Sequence, residues 1–334
     1  VWRIVRDGSS LPPWWAWMLV VLCGLKPILD DLSHGNVNIL ILFLVVTALT
    51  AYRSRHDFFA GVLLALAIAC KLTPALFLPY LAWKRSWRAL AGCGVGLMLF
   101  LYPGVVPSAR LGFTENQRQL ASWYRVMVHP FLVEGKVTSE HLNQSLPGLV
   151  ARLATESPSF VAWLGDEEVP MRYDNVLSLS PVSARTVVKL CLVLFVLLAA
   201  WSCRSESRGG VGVAAEFGLV TLGMLLFSER TWKHHAVTLV LPLGLLIVAA
   251  MRRRWLVPLV GITMLLMLVP GLGGGKNRFE TGLSPDFAKM AQVYGAYTWA
   301  FVLLTGGMVA LLRRADFEAV SAYNQDAAPS AIRL

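Results

Sequence analysis

Charge is what this chain has least of. Only 15% of its 334 residues are Asp, Glu, Lys or Arg, while 56% are hydrophobic; soluble globular domains carry about 25% charged residues. A water-surrounded fold is excluded, and a polytopic membrane protein is expected. No dinucleotide fingerprint, Walker A loop, HExxH or GxSxG motif occurs, which removes the chemistries those motifs carry. The glycines at 271–275 lack the lysine-serine/threonine ending of a phosphate loop. There is no internal repeat. Cysteine is missing from the long polar loops: Cys23, Cys70, Cys93, Cys191 and Cys203 all lie in or beside apolar runs, none at metal-ligand spacing. No disulfide and no metal site is expected. The net charge of +10 does not imply nucleic acid. The basic residues fall in short runs between apolar segments: Arg53 and Arg55; Lys84, Arg85 and Arg88; Arg204 and Arg208; Arg252 to Arg254; Arg313 and Arg314. That is the positive-inside pattern of cytoplasmic loops.

At about 20 residues per crossing, the apolar runs predict spans near 14–29, 37–52, 89–106, 185–202, 212–227, 236–251, 255–270 and 294–312. Segment 57–83 differs. Lys71-Leu-Thr-Pro74 interrupts it, and basic residues flank both ends. It is too short to cross a bilayer of about 30 Å twice, so it is expected to form a re-entrant hairpin broken at Pro74. The arginines then place 30–36, the long loop 108–183, 228–235 and 271–293 outside the cytoplasm. Within the long loop, 116–128 predicts an amphipathic interfacial helix with Trp123 and Tyr124 at headgroup level. Residues 137–153 predict a second helix. Residues 1–315 are read as one transmembrane domain, and 316–334 as a disordered cytoplasmic tail.

The outer side collects the polar groups. His234 and His235 end the run Ser228-Glu-Arg-Thr-Trp-Lys-His-His235, where they either bind phosphate, handle protons or merely cap an interfacial helix. Adjacent histidines on a helix point about 100° apart, which speaks against a shared zinc ion. Lys71 either snorkels, pairs, meets an anion or holds the hairpin. Asn36 and Asn38 open a span; one of them can cap it while the other faces a cavity. Asp30 and Asp31 are weak candidates for a general base, with solvated helix-end residues the favoured reading. Asn143, Gln144, Ser145 and Arg152 offer amides, a hydroxyl and a guanidinium on one predicted helix, suited to sugar hydroxyls and phosphate, or form its polar face. Lys276 and Arg278, two cations outside, break the positive-inside trend and favour an anion.

Four elements resemble glycosyltransferase family 87. His34-Gly-Asn-Val-Asn38 is similar to its "hGQxN" element, with Val37 in place of glutamine. Gly61, Lys71-Leu-Thr-Pro74 and Trp83-Lys-Arg-Ser-Trp87 resemble its "G…KxxP…rrW" hairpin; Asn143-Gln-Ser-Leu146 with Arg152 its "NQSl…R" element; Trp232-Lys-His-His235 its "sWxHH" element. The resemblance implies an all-α GT-C bundle and inverting transfer of a mannose-like hexose. The donor would be a polyprenyl-phosphate-sugar and the acceptor a lipid or glycan, at the outer face of the inner or plasma membrane and without cofactor. It implies sugar or acceptor binding by Asn36, Asn38, Asn143 and Gln144. The donor phosphate would fall to His234, His235 and Lys276 or Arg278, with Lys71 supporting the hairpin. It also implies a catalytic acid before Val1, so the chain is expected to be N-terminally truncated and inactive as it stands. The alternatives are a lipid or solute transporter, an O-antigen-ligase-like enzyme and a degenerate membrane scaffold.

Overall fold

Apolar segments in a bilayer must satisfy their backbone hydrogen bonds internally, and helices do so. A computed structural model describes residues 14–165, 167–204, 210–271 and 287–326. In it α1 (Trp14–Ser33) and α2 (Asn38–Arg53) meet at a short turn. α2 buries Ile41, Leu44, Val45, Ala48, Leu49 and Tyr52, one stripe at helical spacing. α3 (Asp57–Cys70) ends where Lys71 turns extended; a 3₁₀ turn over Thr73–Leu76 then leads into α4 (Phe77–Trp83). Pro74, which has no N–H to donate, sits in the first turn after the break. The expected hairpin is thus present as two half-helices. α5 (Trp87–Phe100) lies against α3 at very close range. A methyl at Gly61 would overlap the Ala89 carbonyl, and one at Gly92 the Phe58 carbonyl. Small residues are what let these two backbones approach.

The long loop carries α6 (Val105–Leu111), α7 (Phe113–Trp123), a π-helical turn over Tyr124–Val128, α8 (His129–Leu132) and α9 (Leu146–Ala154). Tyr124, Val126, Met127 and Val133 are exposed, an apolar face with no core beneath it. The second loop helix is shorter than expected. Residues 137–145 are irregular, because Ser145 caps α9 through Gly148 N–H and Pro147 stands in its first turn. A β-hairpin unforeseen from the sequence follows: β1 (Phe160–Leu164) pairs antiparallel with β2 (Glu167–Arg172), with Gly165 at positive φ in the tight turn.

The remaining spans are α10 (Pro181–Ser202), α11 (Gly210–Leu226), α12 (Val240–Arg252) and α13 (Val257–Leu268), then α14 (Phe287–Val293) and α15 (Ala296–Asp326). α12 is central, burying Leu241 through Ile247. α10 is peripheral and buries only Ala184 and Ser202. Phe217 of α11 packs on Phe77, Tyr80 and Tyr52, which ties the hairpin and α2 to α11. The spans expected from the apolar runs are mainly helical, but 89–106 is broken at 101–104, where Pro103 and Gly104, the latter at positive φ, interrupt the helix. Among the described residues four helical stretches are long and apolar enough to cross a membrane: Trp87–Leu111 (α5 continued by α6), Pro181–Ser202, Lys233–Arg252 (a 3₁₀ turn continued by α12) and Ala296–Arg313. The protein is an all-α membrane protein. The expected tail begins inside a helix, since α15 continues to Asp326; no glycine or proline interrupts 316–326, and the helix propagates. Residues 327–334 lie outside the described residues.

Candidate functional site

One end of the bundle draws together the α1–α2 turn, the hairpin tip and the 228–239 segment. Asp31 is fully buried. Its carboxylate accepts from the Ile39 N–H at 3.0 Å and from Asn38 Nδ2 at 2.6 Å. Asp31 therefore caps α2 from a distance, which is the helix-end role favoured from the sequence. Each of its oxygens already holds one partner, and the residue has no exposed surface. Asn38 passes the interaction on: its Oδ1 accepts from Lys71 Nζ at 2.6 Å. Lys71 thus reaches Asp31 only through an amide, and the negative charge of Glu229 also acts on it. Asp30 is spent on Lys26, at 2.7 Å, and Asn36 is exposed at the rim.

His234 and His235 sit on a 3₁₀ turn (Lys233–Leu239) rather than an α-helix. Their rings are nearly perpendicular, with centroids 4.5 Å apart. His235 Nδ1 accepts the Trp232 backbone N–H at 3.2 Å, so in the neutral ring Nε2 carries the proton. His234 stacks on His34 at 5.2 Å. His34 Nδ1 lies 2.6 Å from the Asp30 carbonyl oxygen, which can only accept; Nδ1 is therefore protonated, and in the neutral ring Nε2 is an acceptor. Between these elements lies a narrow pocket lined by Asn38, Lys71, Thr73, Ser228, Thr231 and His235. It offers a cation, one imidazole, hydroxyls and an amide, groups that suit a phosphate or a hydroxyl.

Asn143, Gln144, Ser145 and Arg152 lie next to the pocket, against Thr231, but do not line it. All four are 0% exposed, and their polar groups are directed at the backbone. Asn143 donates to the Glu229 carbonyl at 2.9 Å and accepts the Thr231 N–H at 2.9 Å. Gln144 donates to the Gln292 carbonyl and accepts from the Tyr297 N–H. Arg152 donates to the carbonyls of Ser139, Glu140, Asn143, Gln292 and Val293. This set clamps the 228–231 turn to the loop and to the α14–α15 junction, and so fixes where the histidines stand. Beside it, burial pushes the His141 imidazole down to about 4. Burial also raises Glu140 above the usual carboxylate range. Lys276 and Arg278 lie outside the described residues.

Sequence reasoning missed His34, Glu229, Arg230 and Trp232 as site residues. All four stand in or beside the quoted motifs, so proximity to Asn38 and His235 was the signal to follow.

Fold and site together define an all-α membrane protein with an imidazole- and lysine-lined polar pocket at one end of its helical bundle. The chain belongs to glycosyltransferase family 87, whose model matches residues 1–228. It is 28% identical over 260 residues to a polyprenol-phosphate-mannose-dependent alpha-(1-2)-phosphatidylinositol mannoside mannosyltransferase of Mycolicibacterium smegmatis, covering 74% of this chain and 51% of that protein. It is 28% identical over 252 residues to the protein of the same description from Mycobacterium tuberculosis, covering 73% and 50%. The chain thus spans about half the length of the curated relatives it matches. No solved structure matches it.

Proposed function

We propose that this chain carries the donor-binding part of a membrane hexosyltransferase. The enzyme moves a mannose-like sugar from a polyprenyl-phosphate-sugar to a lipid or glycan acceptor at the extracytoplasmic face of the cell membrane. The observation that carries this reading is the meeting of Lys71, His34, His234 and His235 at one end of the bundle in a member of family 87. In the reaction an acceptor oxygen attacks the anomeric carbon and the carbon–oxygen bond to phosphate breaks. Polyprenyl phosphate leaves with the electron pair, and the anomer inverts. Lys71 and the histidines stabilise the charge growing on that phosphate. Asn38 and the pocket hydroxyls of Thr73 and Thr231 orient the sugar. As the new bond forms the acceptor hydroxyl gives its proton to a base, and Asp31, wholly buried beneath Asn38 and the Ile39 N–H, is not that base. Asn143, Gln144, Ser145 and Arg152 act as positioning residues beneath the turn.

The test is sugar transfer from radiolabelled polyprenyl-phosphate-mannose in membranes containing the protein. His235→Ala is expected to lower turnover by about 10²-fold or more. Wild-type turnover in that variant would remove His235 from the phosphate site and the reading with it.

A further inference from the structure

A groove runs beneath the peripheral helix α10, between it, the hairpin and α11. Leu76, Tyr80 and Trp83 follow one another at helical spacing on the hairpin side. Leu192, Phe195, Val196 and Ala199 form the facing stripe of α10, again at helical spacing. Val220 and Phe227 supply the third wall. The space between these walls is about 750 Å³, counted to its open side, far beyond the small voids of a packed interior. The Tyr80 hydroxyl is spent on Glu216 at 2.6 Å, and the groove is lined almost wholly by apolar surface.

The interior of a bilayer has no water to fill such a space, so a hydrocarbon chain fills it. Where the groove ends decides which chain. Leu76 belongs to the same 3₁₀ turn as Thr73, and Phe227 directly precedes Ser228; Thr73 and Ser228 line the pocket of Lys71 and His235. The polar pocket and the apolar groove thus share two walls, the hairpin turn and the end of α11. A single ligand with a phosphate head and a long apolar chain spans both. The Phe195 and Phe227 rings, with centroids 5.2 Å apart, stand at that shared end. Gly223 lets Phe195 settle there, since a methyl on it would come within 2.7 Å of the ring.

From this continuity we propose that the groove beneath α10 seats the isoprenoid chain of the donor, with Phe195 and Ala199 setting which chain fits. This rests on the transferase reading and adds to it the path of the chain, which enters sideways from the bilayer between the hairpin and α10.

The experiment measures equilibrium binding of two radiolabelled ligands to the purified full chain in phosphatidylcholine nanodiscs. One is a full-length polyprenyl phosphate; the other is dimethylallyl phosphate, which has the same head and a single isoprene unit. Ala199→Trp fills the groove and is expected to weaken polyprenyl phosphate by roughly tenfold or more while leaving dimethylallyl phosphate unchanged. Leu192→Trp should do the same, and it serves if Ala199→Trp does not fold. Leu194→Trp, on the same helix but outside the groove and 66% exposed, should change neither ligand. Undiminished polyprenyl phosphate binding in the groove variants overturns the proposal and leaves the groove to bilayer phospholipid. An equal loss of both ligands also overturns it, as does a loss in Leu194→Trp matching that of Ala199→Trp. Lys71→Met should weaken both ligands alike. If only that arm fails, the phosphate assignment and the transferase reading fall while the chain groove stands; if wild type binds no polyprenyl phosphate, both fall.

Discussion

The hairpin carries a lysine at each end, and the two are treated very differently. At its foot Lys84 makes a direct ion pair with Glu216 at 2.9 Å, both side chains almost wholly enclosed. Tyr80 donates to the other carboxylate oxygen at 2.6 Å. At its tip no carboxylate lies within ion-pairing distance of Lys71 among the described residues. Its contact with Asp31 runs through the Asn38 amide, and it lines a pocket. A closed ion pair has spent its charge on the fold. A lysine held through an amide keeps its charge for whatever enters. The same residue type, about a dozen positions along, is thereby a fastening in one place and a ligand in the other.

Breaking the foot is expected to have the largest effect. Glu216→Ala strands Lys84 and Tyr80 in a closed apolar setting and should cost about 3–5 kcal/mol of stability. Thermal unfolding of the solubilised protein measures it. A variant replacing both Lys84 and Glu216 by apolar residues of similar volume should recover most of the loss; no recovery would show that the foot is more than a paired charge. Breaking the tip is expected to do the converse. Lys71→Met should leave the unfolding temperature close to wild type and lower sugar transfer by about 10²-fold. A fall in stability matching that of Glu216→Ala would erase the distinction between the two ends.

A third buried base, conditional on pH, sharpens the comparison. His141 sits in the loop clamp, stacked on Phe160 at 4.2 Å, and is neutral when folded. Its pKa is lowered to about 4 in the fold, against an ordinary 6.5. Between those values the unfolded chain binds more protons. Stability from this group is therefore complete above pH 6.5 and is lost as pH falls towards 4, by on the order of 3 kcal/mol. His141→Phe should flatten that slope in unfolding measured from pH 7 to 4. An unchanged slope would assign the acid sensitivity to other groups.

Much of this was legible in the residues. The apolar runs marked the spans because hydropathy is a property of consecutive side chains. Lys71-Leu-Thr-Pro74 marked the hairpin break because a proline and a charge cannot continue a buried helix. The residues name His234, His235, Lys71 and Asn38 only within a wider polar set that also holds Asn36, Asn143, Gln144, Ser145, Arg152, Lys276 and Arg278; which of these gather at one end is decided by packing. Asn143, Gln144 and Arg152 were seen as polar but not as closed. Arg152 donates to Val293, 141 positions away, and nothing local announces a partner at that distance. The β-hairpin was missed beside stronger helical patterns, although Gly165 marks its turn.

The sequence by itself determined that this protein lives in a membrane, where its helices run, where its hairpin breaks and to which family it belongs. These follow from short-range patterns: apolar length, proline position and motif spacing. Only the tertiary structure decided which polar groups remain available. It enclosed Asn143, Gln144, Ser145 and Arg152 against backbone groups, paired Lys84 with Glu216, and left Lys71, Asn38 and His235 lining a pocket. Availability depends on what each side chain meets across the fold, and those partners are set by packing between segments far apart in the chain.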